Sequence, residues 1–273
     1  MKFLVQIYLK GLYYFIVDKN FRKFFYLTVL FGLSLKRKSN SININGSKLK
    51  VLDFKSFVWQ FYEIYFKGYY TFESLNSEPV IIDCGSNIGL SLLNFKSQYK
   101  NSKIYAFEAD KNVFDVLNEN IKNNHLENVY LFNQAVWVKN EKISFLPDGV
   151  DGGRIEGGLK TNNQVDAIDF NEFLKGFNKV DFLKMDIEGA ETSVIPHIKE
   201  GLSKVDNLFI EFHSFDGQKQ DFDKIITTLT DCGFRFYIDN VVFKNHPFMN
   251  KKAKNNIDLQ LNIFAYKFEN PSH

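Results

Sequence analysis

The sequence predicts an α/β protein built around a mostly parallel sheet, and three observations predict it. From Val80 onward, short apolar runs alternate with stretches of helical period, the order that a parallel sheet with crossover helices requires. The run Val80-Ile81-Ile82-Asp83-Cys84-Gly85-Ser86-Asn87-Ile88-Gly89 carries three β-branched residues into an acid and then into a turn bracketed by two glycines. The octet Lys184-Met185-Asp186-Ile187-Glu188-Gly189-Ala190-Glu191 repeats that layout at the end of another buried run. Strand, glycine turn and helix together bring a small ligand against backbone N–H groups at a helix amino terminus.

The elements follow in order. Residues 1–38 hold eight Lys/Arg against one acid, Asp18, and their longest uncharged run, Phe24–Leu35, is 12 residues. That is shorter than the ~20 residues a spanning helix needs. No small-residue cleavage site follows, so no signal peptide is expected. Gln6, Lys10, Tyr14 and Asp18 recur every fourth residue and leave a broad apolar face. Such a segment suits a helical cap packed on the main domain, a basic amphipathic element in peripheral contact with a membrane surface, or both. Residues 39–50 alternate Ile and Asn and then reach Asn45-Gly46, a strong hairpin signal. The expected division is therefore an N-terminal segment, 1–50, and a main domain, 51–273.

Phe57 to Tyr70 is aromatic, has Glu63 in its middle and reads as helical at first. Strands are expected at Val80–Asp83, Lys103–Glu108, Val129–Ala135, Val180–Met185, Leu208–Phe212 and Phe234–Ile238. Helices are expected from Ile88, from Asn112 to Asn123, from Ala190 to Glu200, and over the period-matched Phe222, Ile225, Ile226 and Leu229. Ile143–Leu146 and Leu159–Ile168 read as a hairpin arm around a glycine-rich loop that carries Arg154. Leu259–Phe268 alternates enough to be an antiparallel edge strand.

Composition narrows the function. Net charge is +2, which gives no global electrostatic case for nucleic acid. The two cysteines, Cys84 and Cys232, make no disulfide framework and are expected as free thiols in a reducing, cytoplasmic setting, at the inner face of a membrane if the N-terminal segment binds one. The thirty Phe and thirteen Tyr, with abundant Lys, Asn and Ile, read as codon bias before function.

The charged strand ends carry the chemistry. Glu108, at the end of the second strand, is placed to accept both ribose hydroxyls of a nucleoside-bearing cofactor. Gln134 closes the third strand. Lys184, Asp186 and Glu188 share one side while the chain is extended, a costly arrangement for a buried strand unless ligands or partners satisfy it. Glu211 and His213 share a side on the next strand, so Asp186, Glu188, Glu211 and His213 are expected to converge. Three glycines as G-x-G-x-x-G are absent, which removes a nicotinamide fingerprint.

Asp83-x-Gly85-x-Asn87-x-Gly89 instead resembles the first motif of class I S-adenosylmethionine-dependent methyltransferases. With Ile104–Asp110, Lys184–Glu191, Glu211-Phe212-His213 and the lead-in Glu63…Tyr69-Tyr70, the chain resembles the FkbM family of those enzymes over about 57–213. Glu108-Ala109 stands where members usually have Glu-Pro. The resemblance implies a Rossmann-like fold of seven strands, the last reversed, with helices on both faces. It also implies O-methyl transfer to a hydroxyl of a sugar, polysaccharide or other natural product, in a bacterial polysaccharide setting by composition. Alternatives are methylation of protein or nucleic acid, and a non-catalytic S-adenosylmethionine-binding scaffold.

On that reading Asp83, Gly85, Ser86, Asn87, Gly89, Glu108, Gln134 and Asp186 hold the cofactor. His213 is the first candidate for general base, oriented by Glu211 or Glu188, with Asp186 second. Lys184, Glu188, Arg154, Tyr69 and Tyr70 are candidates for acceptor contact. In a metal-assisted alternative Asp186, Glu211 and His213 hold a divalent cation, Mg²⁺ before zinc for an oxygen-rich set.

Overall fold

The structure, a computed structural model, describes residues 10–32, 41–146, 154–155, 164–241, 245–251 and 256–268. Helices α1 (Lys10–Val17) and α2 (Lys19–Gly32) lead into a hairpin of β1 (Ser41–Ile44) and β2 (Ser47–Lys50). Asn45 and Gly46 both take positive φ, 51° and 91°, as the tight turn between those strands requires. Helix α3 (Phe54–Phe61) continues directly into a π-helical turn, Tyr62–Phe66. No helix among the described residues is long and apolar enough to cross a membrane.

The main sheet has seven strands: β3 (Val80–Cys84), β4 (Lys103–Phe107), β5 (Val129–Phe132), β10 (Val180–Met185), β11 (Val205–Phe215), β12 (Arg235–Asn240) and β13 (Ile257–Tyr266). Their order is β12-β13-β11-β10-β3-β4-β5. The chain builds outward from β3 through β4 to β5, then returns to lay β10 and β11 on the other side. The switch point therefore lies between the carboxyl ends of β3 and β10, where open α/β sheets leave a crevice.

Burial follows from the pleat. Ile81, Ile104, Phe182 and Phe209 face one core layer, under α3, α4 (Leu90–Gln98) and α5 (Lys111–Asn123). Ile82, Leu183, Leu208 and Ile210 face the other, with α6 (Phe170–Lys175), α7 (Glu191–His197) and α8 (Phe222–Asp231). Every residue of β10 is buried, including Asp181 and Lys184. Helix α5 presents the expected stripe of Val113, Val116, Leu117 and Ile121, and Asp110 caps it by accepting from Asn112 and Val113 N–H. Asn120 of α5 exchanges hydrogen bonds with the backbone of Lys50 and binds Ile88 O, which fixes the β1–β2 hairpin to the domain.

Two expectations need correction. The reversed strand β13 is not an edge strand: it lies between β12 and β11 and pairs antiparallel with both. Ile263 and Ala265 are buried in the core, and both backbone edges of β13 are engaged, so burial outweighs the alternating pattern that suggested an edge. The third strand also stops early, at Phe132. The chain then leaves as β6 (Ala135–Trp137) for a second sheet, ordered β6-β9-β7-β8, with β7 (Glu141–Leu146), β8 (Arg154–Ile155) and β9 (Gln164–Asp169). β7 pairs antiparallel with β9, so the expected arm forms; most of its glycine-rich loop lies outside the described residues.

Candidate active site

Four strand ends and the π-helical turn enclose a cavity of ≈ 450 Å³ at the switch point. Its first wall is the turn after β3. Gly85 has φ 84°, and a Cβ there would lie 1.8 Å from the Asp186 carbonyl oxygen, so the tips of β3 and β10 touch and only glycine fits. Gly85 and Ser86 N–H both donate to Phe107 O, and Asp186 N–H donates to Cys84 O. The turn is thus tied to both neighbouring strands. Gly89, at φ 89°, starts α4 close against Leu117 of α5. Asn87 N–H donates to Glu108 Oε2 at 3.0 Å, and Asp110 N–H donates to Oε1 at 2.9 Å. Each Glu108 oxygen therefore keeps a lone pair for a ligand. Burial pushes the Glu108 carboxyl up to about 7 against those two hydrogen bonds. Asn133 holds the chain beyond β4 through Glu108 O and Ala109 O, and Gln134 lines the cavity.

The opposite wall is charged. Lys184 Nζ donates to Gly85 O at 2.8 Å and Asp186 Oδ2 at 3.1 Å, and lies 3.5 Å from Asp83 Oδ1. Burial works against its charge, but Asp186 and Asp83 outweigh that and hold the ammonium well above the usual lysine range. Asp83 is fully buried, takes the Ser91 hydroxyl at 2.5 Å and does not line the cavity; its work is to anchor Lys184. Glu191 closes the loop after β10 by accepting from Ile187 N–H and Gly189 N–H.

His213 lies 3.8 Å from Glu188, 3.8 Å from Glu191 and 3.6 Å from Glu211. Burial alone would lower its pKa; the surrounding carboxylates reverse that and hold the imidazole protonated, well above its ordinary value. Glu211 is correspondingly held below the carboxylate range, where His213 and the Gln260 amide outweigh burial. Burial raises Asp186 to about 6 and Glu188 to about 8.

The expected convergence of Asp186, Glu188, Glu211 and His213 is present, as is Tyr70 on the cavity wall. Tyr69 is elsewhere: it packs on Phe209 and Phe264 and donates to Asp239 Oδ2 at 2.7 Å, so it is not available to an acceptor. It is displaced because Asp239, on β12, sits across β13 from Glu211 through the shared partner Asn262. The Arg154 side chain lies outside the described residues.

No local sequence pattern marks Glu63, Gln260 or Glu191 as part of the site. The π-helical turn places Glu63 on the cavity wall, and Lys67 N–H reaching back to Tyr62 O marks the widened helix. Burial first, then Glu211 and Asp186, push its carboxyl up to about 8. A carboxyl raised from its unfolded value binds protons preferentially in the folded state, so stability falls as pH rises from about 4.5 to about 8. Glu63→Gln is expected to flatten the decline in melting temperature over that window; an unchanged slope by calorimetry would remove Glu63 from the cluster.

The family model for the methyltransferase FkbM domain matches residues 83–236, more than half of the chain. The chain belongs to the FkbM methyltransferase family. Among curated relatives, this FkbM-family chain is 27% identical to methyltransferase sdnD of Sordaria araneosa over 211 residues, covering 63% of this chain and 80% of that one. It is 26% identical to the 2-O-methyltransferase NoeI of Sinorhizobium fredii over 165 residues, covering 52% and 67%. Among solved structures, the methyltransferase FkbM from Methylobacillus flagellatus is 16% identical with a TM-score of 0.46, covering 74% of this chain and 47% of that one. A SAM-dependent methyltransferase from Agrobacterium tumefaciens is 9% identical with a TM-score of 0.49, covering 86% and 72%. The FkbM-family chain is thus an S-adenosylmethionine-dependent methyltransferase.

Proposed function

We propose that this FkbM-family enzyme methylates a hydroxyl of a sugar or other natural-product acceptor. The observation that carries the reading is the two-walled cavity: a nucleoside-type wall at Gly85, Asn87 and Glu108 faces a carboxylate wall at Asp186, Glu188, Glu211 and Glu63. The residues fit the cofactor, because Glu108 is braced by two backbone N–H groups and still has acceptor capacity for paired ribose hydroxyls. When bound, S-adenosylmethionine supplies an electrophilic methyl on a sulfonium.

The chain's residues do the rest. A hydroxyl oxygen is a poor nucleophile until it loses its proton, so a base within hydrogen-bond reach is required. Asp186 takes that role in our reading, since a carboxyl with a pKa of about 6 is ionised at neutral pH while His213 already carries its proton. Lys184 fixes Asp186 against the glycine turn and is spent on that task, which leaves Glu188, Glu63 and Gln260 to orient acceptor hydroxyls. NoeI is a 2-O-methyltransferase, which supports an oxygen acceptor.

A second reading has one favouring observation: ligand atoms of Asp186, Glu211 and His213 lie within 4.8 Å of one another, close enough to share a divalent cation. That arrangement requires His213 to give up its proton. Both readings are tested by incubating the enzyme with S-adenosylmethionine and a panel of glycans, glycolipids, a protein extract and RNA, with and without EDTA. O-methyl products on the glycans or glycolipids support the proposal. Products confined to protein or RNA would overturn it, and loss of turnover in EDTA would promote the metal reading.

A further inference from the structure

We propose that α1 and α2 dock this enzyme on the surface of an anionic bilayer and so set the mouth of its cavity beside membrane-borne acceptors. The docking half stands on the N-terminal helices alone; the acceptor half rests on the methyl-transfer reading above.

The helix pair has two faces. The inner face is seated on the π-helical turn, with Tyr14 and Phe21 against Phe66, Phe24 against Tyr62, and Leu27 buried. The outer face leaves Leu12, Ile16, Val17, Phe25, Tyr26 and Val29 between 43% and 66% exposed. Single exposed apolar residues are ordinary; a contiguous set on two adjoining helices marks an interaction surface.

The pair is held as a unit. Asp18 caps α2 through Asn20 and Phe21 N–H, the Arg22 guanidinium donates to Phe15 O and Ile16 O at the end of α1, and Asn20 donates to Tyr65 O.

Charge decides the occupant. Of 34 Lys/Arg and 32 Asp/Glu in the chain, eight and one fall within residues 1–38, so the remainder is acidic on balance. An apolar face on helices that expose Lys10, Lys19 and Arg22 combines the two signals of interfacial binding, shallow apolar insertion and attraction to anionic lipid; Lys23 instead turns inward to Asn45 and Phe61. A second copy of the chain would present the same basic residues in a two-fold contact, and like charges oppose that. Neither helix is long enough to span, so the pair lies on the surface.

The helix pair adjoins the cavity through its inner face. Trp59 of α3 is 56% exposed, lies 6.5 Å from Phe24 between ring centroids and lines the cavity. An exposed tryptophan at that junction suits the headgroup level. An acceptor held at the bilayer surface would then meet Glu63 and Gln60, which line the cavity from the same segment.

The test is vesicle flotation of the full chain, with S-adenosylmethionine binding measured in parallel without lipid. Wild type is expected to float with phosphatidylcholine–phosphatidylglycerol vesicles, less so at high salt, and to remain at the bottom with phosphatidylcholine alone. Ile16→Asp with Phe25→Asp is expected to cut partition at least about tenfold while cofactor binding persists. Lys10→Gln with Lys19→Gln is expected to weaken partition and its salt dependence. Wild type that stays down with anionic vesicles overturns docking, as do apolar-face variants that float normally. So does a wild-type dimer in sedimentation velocity that the same variants dissociate. If docking holds and vesicle-borne glycolipids are methylated no better than soluble glycans, the acceptor half falls and methyl transfer itself stands.

Discussion

Lys184→Met is expected to destabilise the protein by about 3–5 kcal/mol, because it leaves a fully buried carboxylate, Asp83, without its counter-ion. For a chain of this size that is a fall of roughly 10 °C in melting temperature. The variant also loses the bond from Lys184 to Gly85 O, so the turn that faces the cofactor loosens and affinity falls with stability. Removing both charges is the control. Lys184→Met with Asp83→Asn is expected to regain much of the stability, since the fully buried position no longer strands a charge, while Asp186, the other partner of Lys184, faces the cavity. Cofactor affinity is not expected to return with it, because the brace on Gly85 is still missing. Equal melting temperatures for Lys184→Met and wild type would show that the ammonium does not hold these strand tips together.

Asp186→Asn is expected to lower the rate of methyl transfer by about 10²–10⁴, the range for loss of a positioned base, with the asparagine oxygen still able to accept from Lys184. The wild-type rate at low substrate is expected to rise as pH increases through about 6, as the Asp186 carboxyl ionises, and that limb is expected to vanish in the variant. His213→Gln separates the two candidates. If His213 serves only as a fixed cation that orders Glu188 and Glu211, its loss changes affinity for the acceptor more than it changes the pH limb. A lost pH limb in His213→Gln, with the limb intact in Asp186→Asn, would return the base to His213.

Much of this site was legible because its parts are consecutive in the chain. Val80–Cys84 reads as a buried strand, and the positive φ of Gly85 and Gly89 is what their spacing demands. The charges of Lys184, Asp186, Glu211 and His213 stand out because charges at the ends of buried strands need partners. Asp83 was legible as a motif member but not as the buried anchor of Lys184, since motif membership does not say which way a carboxylate points. Glu63 is not legible as a site residue because it interrupts an aromatic helical run, and only the π-helical turn brings it inward. Gln260 and Asn262 depend on β13 entering between β11 and β12, and no local pattern records that register. The packed position of Tyr69 is illegible for the same reason: its partner, Asp239, is supplied by β12.

The measurement that bears most directly on the account is calorimetric titration of S-adenosylmethionine into wild type and Glu108→Gln across pH. The Glu108 carboxyl, raised to about 7 by burial, is a better acceptor of ribose hydroxyls once ionised, so wild-type affinity should climb as pH rises through about 7. Glu108→Gln should bind roughly ten- to a hundredfold more weakly at the upper end, with a flat pH profile. Equal affinity and equal pH dependence in the two proteins would contradict the placement of the cofactor between Glu108 and the glycine turn.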